Sequence, residues 1–305
     1  MSRGMKMRTA VGTHGTLHRV DDLQKRHDTK QTLPTLLCDS PGCGVPVTFV
    51  PGHSRRHAGH AEPVHMPAYI DLGKEAEHRP GCRYDAPAHL QALLAAGADA
   101  DFLPPLGEGT HELRLLLLQQ GLKRGGAEHH GADPVLAGYL RTLADLLILR
   151  AMCGSDTLLA THLTLRLGKK KVDWSSFFYT QDRYDEAWER LGATSTDLPL
   201  ALVGTVRSHR ATQPGSVYLN CAPKYQHTGV TDRRDFYEIS VGHSDAAWLQ
   251  SFPVGTEIVM FGLWRQGRTT TSSRPHPTDP RRTITNVTHK LALWPSVKHQ
   301  LVRVA

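Results

Sequence analysis

The chain has 305 residues, of which 39% are hydrophobic and 21% charged, with a net charge of +7. That is ordinary globular material, long enough for two or three domains. No apolar run reaches the roughly 18 residues of a membrane span, and no apolar core follows the basic start MSRGMKMRTA. The sequence therefore predicts a cytoplasmic protein with neither a secretory signal nor a membrane partner.

In chain order, residues 1–85 are rich in turns and histidines, and residues 86–192 read as mainly helical. Residues 198–305 read as β-structure, so the predicted fold class is α+β and multidomain. LLCDSPGCGVPVTFVPGHSRR reads as two short strands around a cysteine knuckle, and HMPAYIDL as a further strand. APAHLQALLAAGA is a short helix ending at Gly97. THELRLLLLQQG fits either a buried strand or a helix. DPVLAGYLRTLADLLILRAMCG is the clearest helix. Asp133 can cap it, Pro134 fits its first turn, and Leu136, Leu140, Leu143 and Leu147 recur at helical spacing.

Cysteine placement in the first segment points to a metal. In a cytosolic chain, clustered Cys and His more often hold metal than form disulfides. Cys38 and Cys43 share one turn with Gly42 and Gly44, and His78 and Cys82 share another with Pro80 and Gly81. Together they make a Cys3His set, which suits a closed, four-coordinate structural zinc site. His53, His57, His60 and His65 lie in the intervening loop and are alternatives to His78 as fourth ligand. Cys153 and Cys221 stand alone in apolar runs and read as small buried residues.

The stretch AVGTHGTLHRVDD…LLCDSPGCGVPVTFVPGHSRRHAGH resembles the N-terminal finger of competence-protein CoiA-like proteins. Those proteins carry a Cys knuckle, a Gly turn and an H-x-x-H-like element, here His57 and His60. The resemblance covers about residues 9–85, and the gap between Cys38 and Cys43 is wider than the usual two residues. CoiA-like proteins continue into a nuclease-like region. No acidic-and-Lys nuclease core matches it here, so nuclease activity is not carried over.

The last segment contains five runs rich in Val, Ile, Thr and aromatics, spanning 198–209, 216–223, 235–242, 255–266 and 283–294. A short helix, SDAAWLQSF, fits between the third and fourth. That order resembles an OB-fold, a five-stranded Greek-key barrel. Residues 201–305 hold 13 Lys and Arg against 6 Asp and Glu, whereas the first 200 residues balance. A basic domain on a neutral body suits a polyanion. The cations fall in the loops that would frame an OB groove: Arg207 and Arg210; Lys224, Arg233 and Arg234; Arg265, Arg268, Arg274, Arg281 and Arg282. Tyr218, Tyr225, Phe236 and Tyr237 are candidate stacking platforms, with Phe236 and Tyr237 on opposite strand faces so that one of them is core. Trp264 and Trp294 read as packing residues.

No nucleophile elbow, phosphate-binding loop or H-E-x-x-H motif is present. The sequence thus predicts a non-enzymatic zinc-stabilised protein that binds single-stranded DNA or RNA through a basic OB-like groove. Its alternatives are a protein–protein adaptor, with a protein partner or self-association, and last a metal-dependent nuclease.

Overall fold

The structure, a computed structural model, describes all residues except 1–4, 56–63, 67, 74–75, 97–98, 126–132, 154, 194–197, 214–215, 228–231, 276–280 and 305. It divides into two units, each described by itself. The first comprises Met1–His57, Pro63–Ala98 and Leu149–Leu163. The second comprises Ala58–Glu62, Asp99–Ile148 and Thr164–Ala305.

The first unit begins β1 (Thr9–Gly12), β2 (Leu17–Arg19), α1 (Val20–Asp28), β3 (Leu36–Leu37) and β4 (Pro46–Val50). It continues β5 (His53–Arg55), β6 (Val64–Met66), β7 (Tyr69–Leu72) and α2 (Ala86–Ala95). Five of the strands form one sheet in the order β2-β1-β3-β4-β7, and β5 and β6 make a separate ribbon. β4 shows why this stretch is a strand. Its sequence PVTFV alternates, with Val47 and Phe49 buried and Pro46 and Thr48 exposed. Asp85 caps α2 by accepting from the Ala88 N–H at 3.3 Å.

The second unit carries β8 (Pro105–Gly107), β9 (Thr110–Arg114), α3 (Leu115–Gly125) and most of α4 (Pro134–Met152). After α5 (Thr157–His162), which belongs to the first unit, come β10 (Leu163–Leu167), β11 (Lys170–Val172), β12 (Phe178–Tyr179) and α6 (Tyr184–Ala193). The ambiguous THELRLLLLQQG is both strand and helix: it pairs as β9 and turns helical at Leu115, where Leu115, Leu118 and Leu122 bury one helical stripe. Asp133 accepts from the Val135 N–H at 2.9 Å at the start of α4.

The remaining strands are β13 (Leu200–Gln213), β14 (Ser216–Cys221), β15 (Lys224–His227) and β16 (Arg233–His243). After α7 (Ala246–Gln250) come β17 (Glu257–Gly262), β18 (Arg265–Gln266), β19 (Thr270–Pro275), β20 (Thr283–Leu293) and β21 (Leu301–Arg303). They form one curled, half-barrel sheet in the order β18-β20-β16-β14-β13-β17-β21, with β12 beside β13, β15 on β16 and β19 on β20. The five long strands pair β13–β14, β14–β16 and β13–β17 antiparallel, and β16–β20 parallel. The segments expected as loops after the second and fourth runs are in part strands, β15, β18 and β19. β19 is exposed at every position, so its sequence carries no alternation to mark it.

Alternation divides the sheet into two faces. Val206, Leu219, Cys221, Tyr237, Ile239, Val241, Met260 and Leu291 fill one side together with Tyr184 and Ala187 of α6. The Tyr184 hydroxyl donates to the Val203 carbonyl at 2.6 Å, fixing α6 in that core. On the opposite side, Val259 and Phe261 of β17 and Val302 of β21 meet Leu140, Leu143, Ala144 and Leu147 of α4. Among the described residues no helix is long and apolar enough to cross a membrane.

Candidate metal centre and candidate nucleic-acid interface

Two turns build the metal cluster. In the first, the Cys38 N–H donates to Val45 O at 2.8 Å and the Cys43 N–H to Ser40 O at 3.0 Å, closing the knuckle between β3 and β4. Gly42 and Gly44 have φ of 75° and 58°, in the left-handed region where a side chain would be strained. In the second, the Cys82 N–H donates to Arg79 O at 3.0 Å. Asp39 joins the two turns: it accepts from Arg83 at 2.7 Å and from the Thr9 hydroxyl at 2.5 Å.

The ligand atoms of Cys38, Cys43, His78 and Cys82 all lie within 4.8 Å of one another. Cys38 Sγ is 3.7 Å from Cys82 Sγ, and His78 Nδ1 is 3.6 Å from Cys43 Sγ and 3.4 Å from Cys82 Sγ. A tetrahedral metal with bonds of about 2.3 Å to sulfur and about 2.05 Å to nitrogen needs S···S near 3.8 Å and S···N near 3.6 Å. These three pairs come close to those spacings, and the four-residue cluster fits a metal ion. Burial and the neighbouring Cys82 and Cys43 thiols push the Cys38 thiol up. Burial also acts on Cys43, but the Arg79 and Val45 backbone amides and the His78 ring outweigh it and bring its thiol down to about 6. Sulfur that collects backbone amides in this way is disposed to ionise, which a metal ligand requires. His78 occupies the fourth corner. Of its alternatives, His53 is exposed and bonds Pro51 O at 3.0 Å; His57 and His60 lie outside the described residues, as does the His65 side chain.

The second site is the face of β14, β16 and β20 that points away from this core. Tyr218, Asn220, Phe236, Glu238, Ser240 and Gly242 alternate with the core residues of β14 and β16 and share this face. Trp294, just after β20, is 56% exposed. Its ring meets Tyr218 edge-on at 6.3 Å and lies over His243 at 6.4 Å. Gly242 makes this possible: a Cβ there would stand 2.6 Å from Trp294 Cζ3 and 2.8 Å from Tyr218 Cε1. A second pair, Tyr225 and Phe236, packs at 5.4 Å, with Tyr225 36% exposed. Along β16, Gly242 and Phe236 are six residues apart, so the two aromatic pairs are separated by about 20 Å.

The cations named from sequence divide into two groups. Four are held by the protein's own carboxylates. Arg207 bonds Glu238 at 2.5 Å, Arg233 bonds Asp235 at 3.1 Å, and Arg282 holds Asp232 through two bonds of 2.8 and 2.9 Å. Lys224 is buried against Asp185 of α6 at 2.5 Å. Arg210, Arg234, Arg265, Arg268 and Arg274 make no ion pair among the described residues, and Arg281 is exposed. Arg210 lies opposite Tyr218, and Arg234 is one outward position from Phe236. Lys290 pairs in register with Glu238 and likewise makes no ion pair among the described residues; sequence reasoning did not select it. Tyr237 lies in the core, stacked on His289 at 4.7 Å, and Phe236 points outward. Trp264 donates to Leu200 O at 3.0 Å from inside the core. Trp294, read from sequence as packing, is instead the most open aromatic of this face. Its position just past a strand gave no signal of that.

No family model matches the chain, and no curated protein matches it. A solved structure similar to part of it is the small single-stranded DNA-binding protein from Streptomyces coelicolor. The two are 14% identical, the match covers 32% of this chain and 90% of that one, and the TM-score is 0.17. A similarity of that size leaves function to be read from the residues.

Proposed function

We propose that the chain is a single-stranded nucleic-acid-binding protein whose C-terminal OB-like sheet holds the strand and whose first unit is stapled by zinc. The observation that carries the binding reading is the outward platform of Trp294 and Tyr218 over Gly242, beside cations that no carboxylate neutralises among the described residues. Bases stack on such rings whatever their sequence, and cations follow the backbone. Arg210, Arg234 and Lys290 border the two aromatic pairs. The β16–β20 parallel pairing and the β13–β17 antiparallel pairing are those of a Greek-key barrel, and they support the OB reading.

Zinc is the metal of choice for the cluster because three thiolates and one imidazole at tetrahedral spacing suit a borderline-soft ion without geometric demands. With all four corners filled by protein, the site serves folding rather than catalysis. Binding, not turnover, is the function assigned.

Fluorescence anisotropy of a labelled single-stranded oligonucleotide tests the binding reading. Affinity falls steeply between 50 and 200 mM salt, and Arg234→Ala lowers the slope of log K against log salt by about 0.7. Negligible binding at both salt concentrations refutes it. Elemental analysis of the purified chain tests the zinc assignment.

A further inference from the structure

The centre of this outward face is not basic. Between the two aromatic pairs, the outward positions of β14 and β16 are Asn220, Glu238 and Ser240, at 7%, 7% and 5% exposure. Asn220 Oδ1 is buried and accepts no hydrogen bond among the described residues. Glu238 uses Oε2 for Arg207; among the described residues no donor engages Oε1. A polyanion-binding face thus keeps a carboxylate and an unmet carbonyl at its middle, where each costs desolvation energy.

The Arg207 contact shows how this centre is held. β13 carries a bulge between Val206 and Ser208, which re-aims Arg207. The sheet order is β16-β14-β13, with neighbouring strands about 4.8 Å apart. To reach Glu238 on β16 from β13, the guanidinium spans the intervening strand β14. Carboxylate and phosphate can each accept from the arginine fork, and here Glu238 already holds that guanidinium. Phosphate itself is kept from the middle by the Glu238 charge, so the strand lies with its bases toward the sheet and its phosphates toward Arg210, Arg234 and Lys290.

We propose that Asn220 and Glu238 are specificity-determining residues that select bases bearing an amino group, namely cytosine, adenine and guanine, against thymine and uracil. This rests on the nucleic-acid reading of the same face. Two acceptors at the centre demand donors. Cytosine N4, adenine N6 and guanine N2 each offer an NH2 group, and glutamate accepting from cytosine N4 is an established pairing. Thymine and uracil have no amino group, and their single N–H sits between two carbonyl oxygens that would face the protein's acceptors.

The test is anisotropy with labelled dC and dT oligonucleotides of equal length, on the full chain, at one salt concentration. The wild type binds dC roughly tenfold more tightly than dT. Glu238→Gln, which offers a donor as well as an acceptor, and Asn220→Leu, which removes the acceptor, each bring the dC/dT ratio toward one. Thermal melts of both variants report whether the fold is kept. Equal wild-type affinity for dC and dT overturns the selection and leaves the binding reading standing, as does an unchanged ratio in both variants. Failure of the wild type to bind either oligonucleotide overturns both.

Discussion

Gly242→Ala isolates the aromatic platform without touching a charge or an aromatic residue. Gly242 is extended strand backbone, so alanine is conformationally allowed, and replacing glycine in a strand gains about 0.4–1 kcal/mol from a less flexible unfolded chain. Against this, the new methyl would stand 2.6 and 2.7 Å from Trp294 Cζ3 and Cε3, and 2.8 Å from Tyr218 Cε1. Carbon atoms prefer about 3.5–4.0 Å, so each ring has to retreat by about 1 Å. Overpacking of that size costs about 1–3 kcal/mol in a closed core. Trp294 is more than half exposed and swings outward instead, which sets the cost near the lower end. The two effects then nearly cancel, and Gly242→Ala changes stability by about 1 kcal/mol or less. Binding responds differently, because a displaced ring no longer presents a flat surface in register with Tyr218. Loss of one stacking partner costs about 1–3 kcal/mol, which is roughly fivefold to 150-fold in Kd. Urea melts and oligonucleotide anisotropy on the same preparation measure both quantities. If Gly242→Ala and Trp294→Ala both bind with wild-type affinity, the platform is not a nucleic-acid surface.

Three further outcomes follow from the same geometry. Chelation, or Cys82→Ser, unfolds the first unit, since structural zinc sites contribute about 10–16 kcal/mol of apparent binding energy to folding; circular dichroism with metal analysis follows the loss. Lys224→Met leaves Asp185 buried without its partner and destabilises the second unit by about 3–5 kcal/mol in urea melts. Burial holds His289 below its ordinary 6.5, and the Arg233 charge works in the same direction. The folded state therefore binds fewer protons than the unfolded one, so stability is full above pH 6.5 and falls as pH drops through it. His289→Gln flattens the melting temperature over that range, and an unaltered profile contradicts the assignment.

The parts of the protein visible from sequence are those specified by near neighbours. Cys38 with Cys43, and His78 with Cys82, each sit in a turn whose glycines already demand φ above zero, so pairing the two turns was a small step. The long strands of the last segment announce themselves through β-branched runs between turn residues. What could not be read depends on residues remote in the chain. Lys224 looks like a free loop cation until Asp185 arrives from α6 to bury it. Arg207 looks like a groove residue until a bulge turns it onto Glu238. Trp294 looks like core because tryptophan usually is; its exposure is decided by Gly242, on a strand 52 positions away. A lone glycine in a strand gave no sign of which ring would need the space.

The parallel pairing of β16 with β20 sets an order of events during synthesis. Arg233 pairs with Thr285, and Val241 with Leu293, so β16 must wait for some fifty more residues before its far edge is closed. Contacts of such sequence separation form slowly. Trp294 follows the last of these pairs, so a ribosome-bound chain that stops short of it lacks the Trp294–Tyr218 ring pair. If the proposed nucleic-acid reading holds, deleting residues 294–305 abolishes binding while leaving the turns of Cys38, Cys43, His78 and Cys82 encoded and intact.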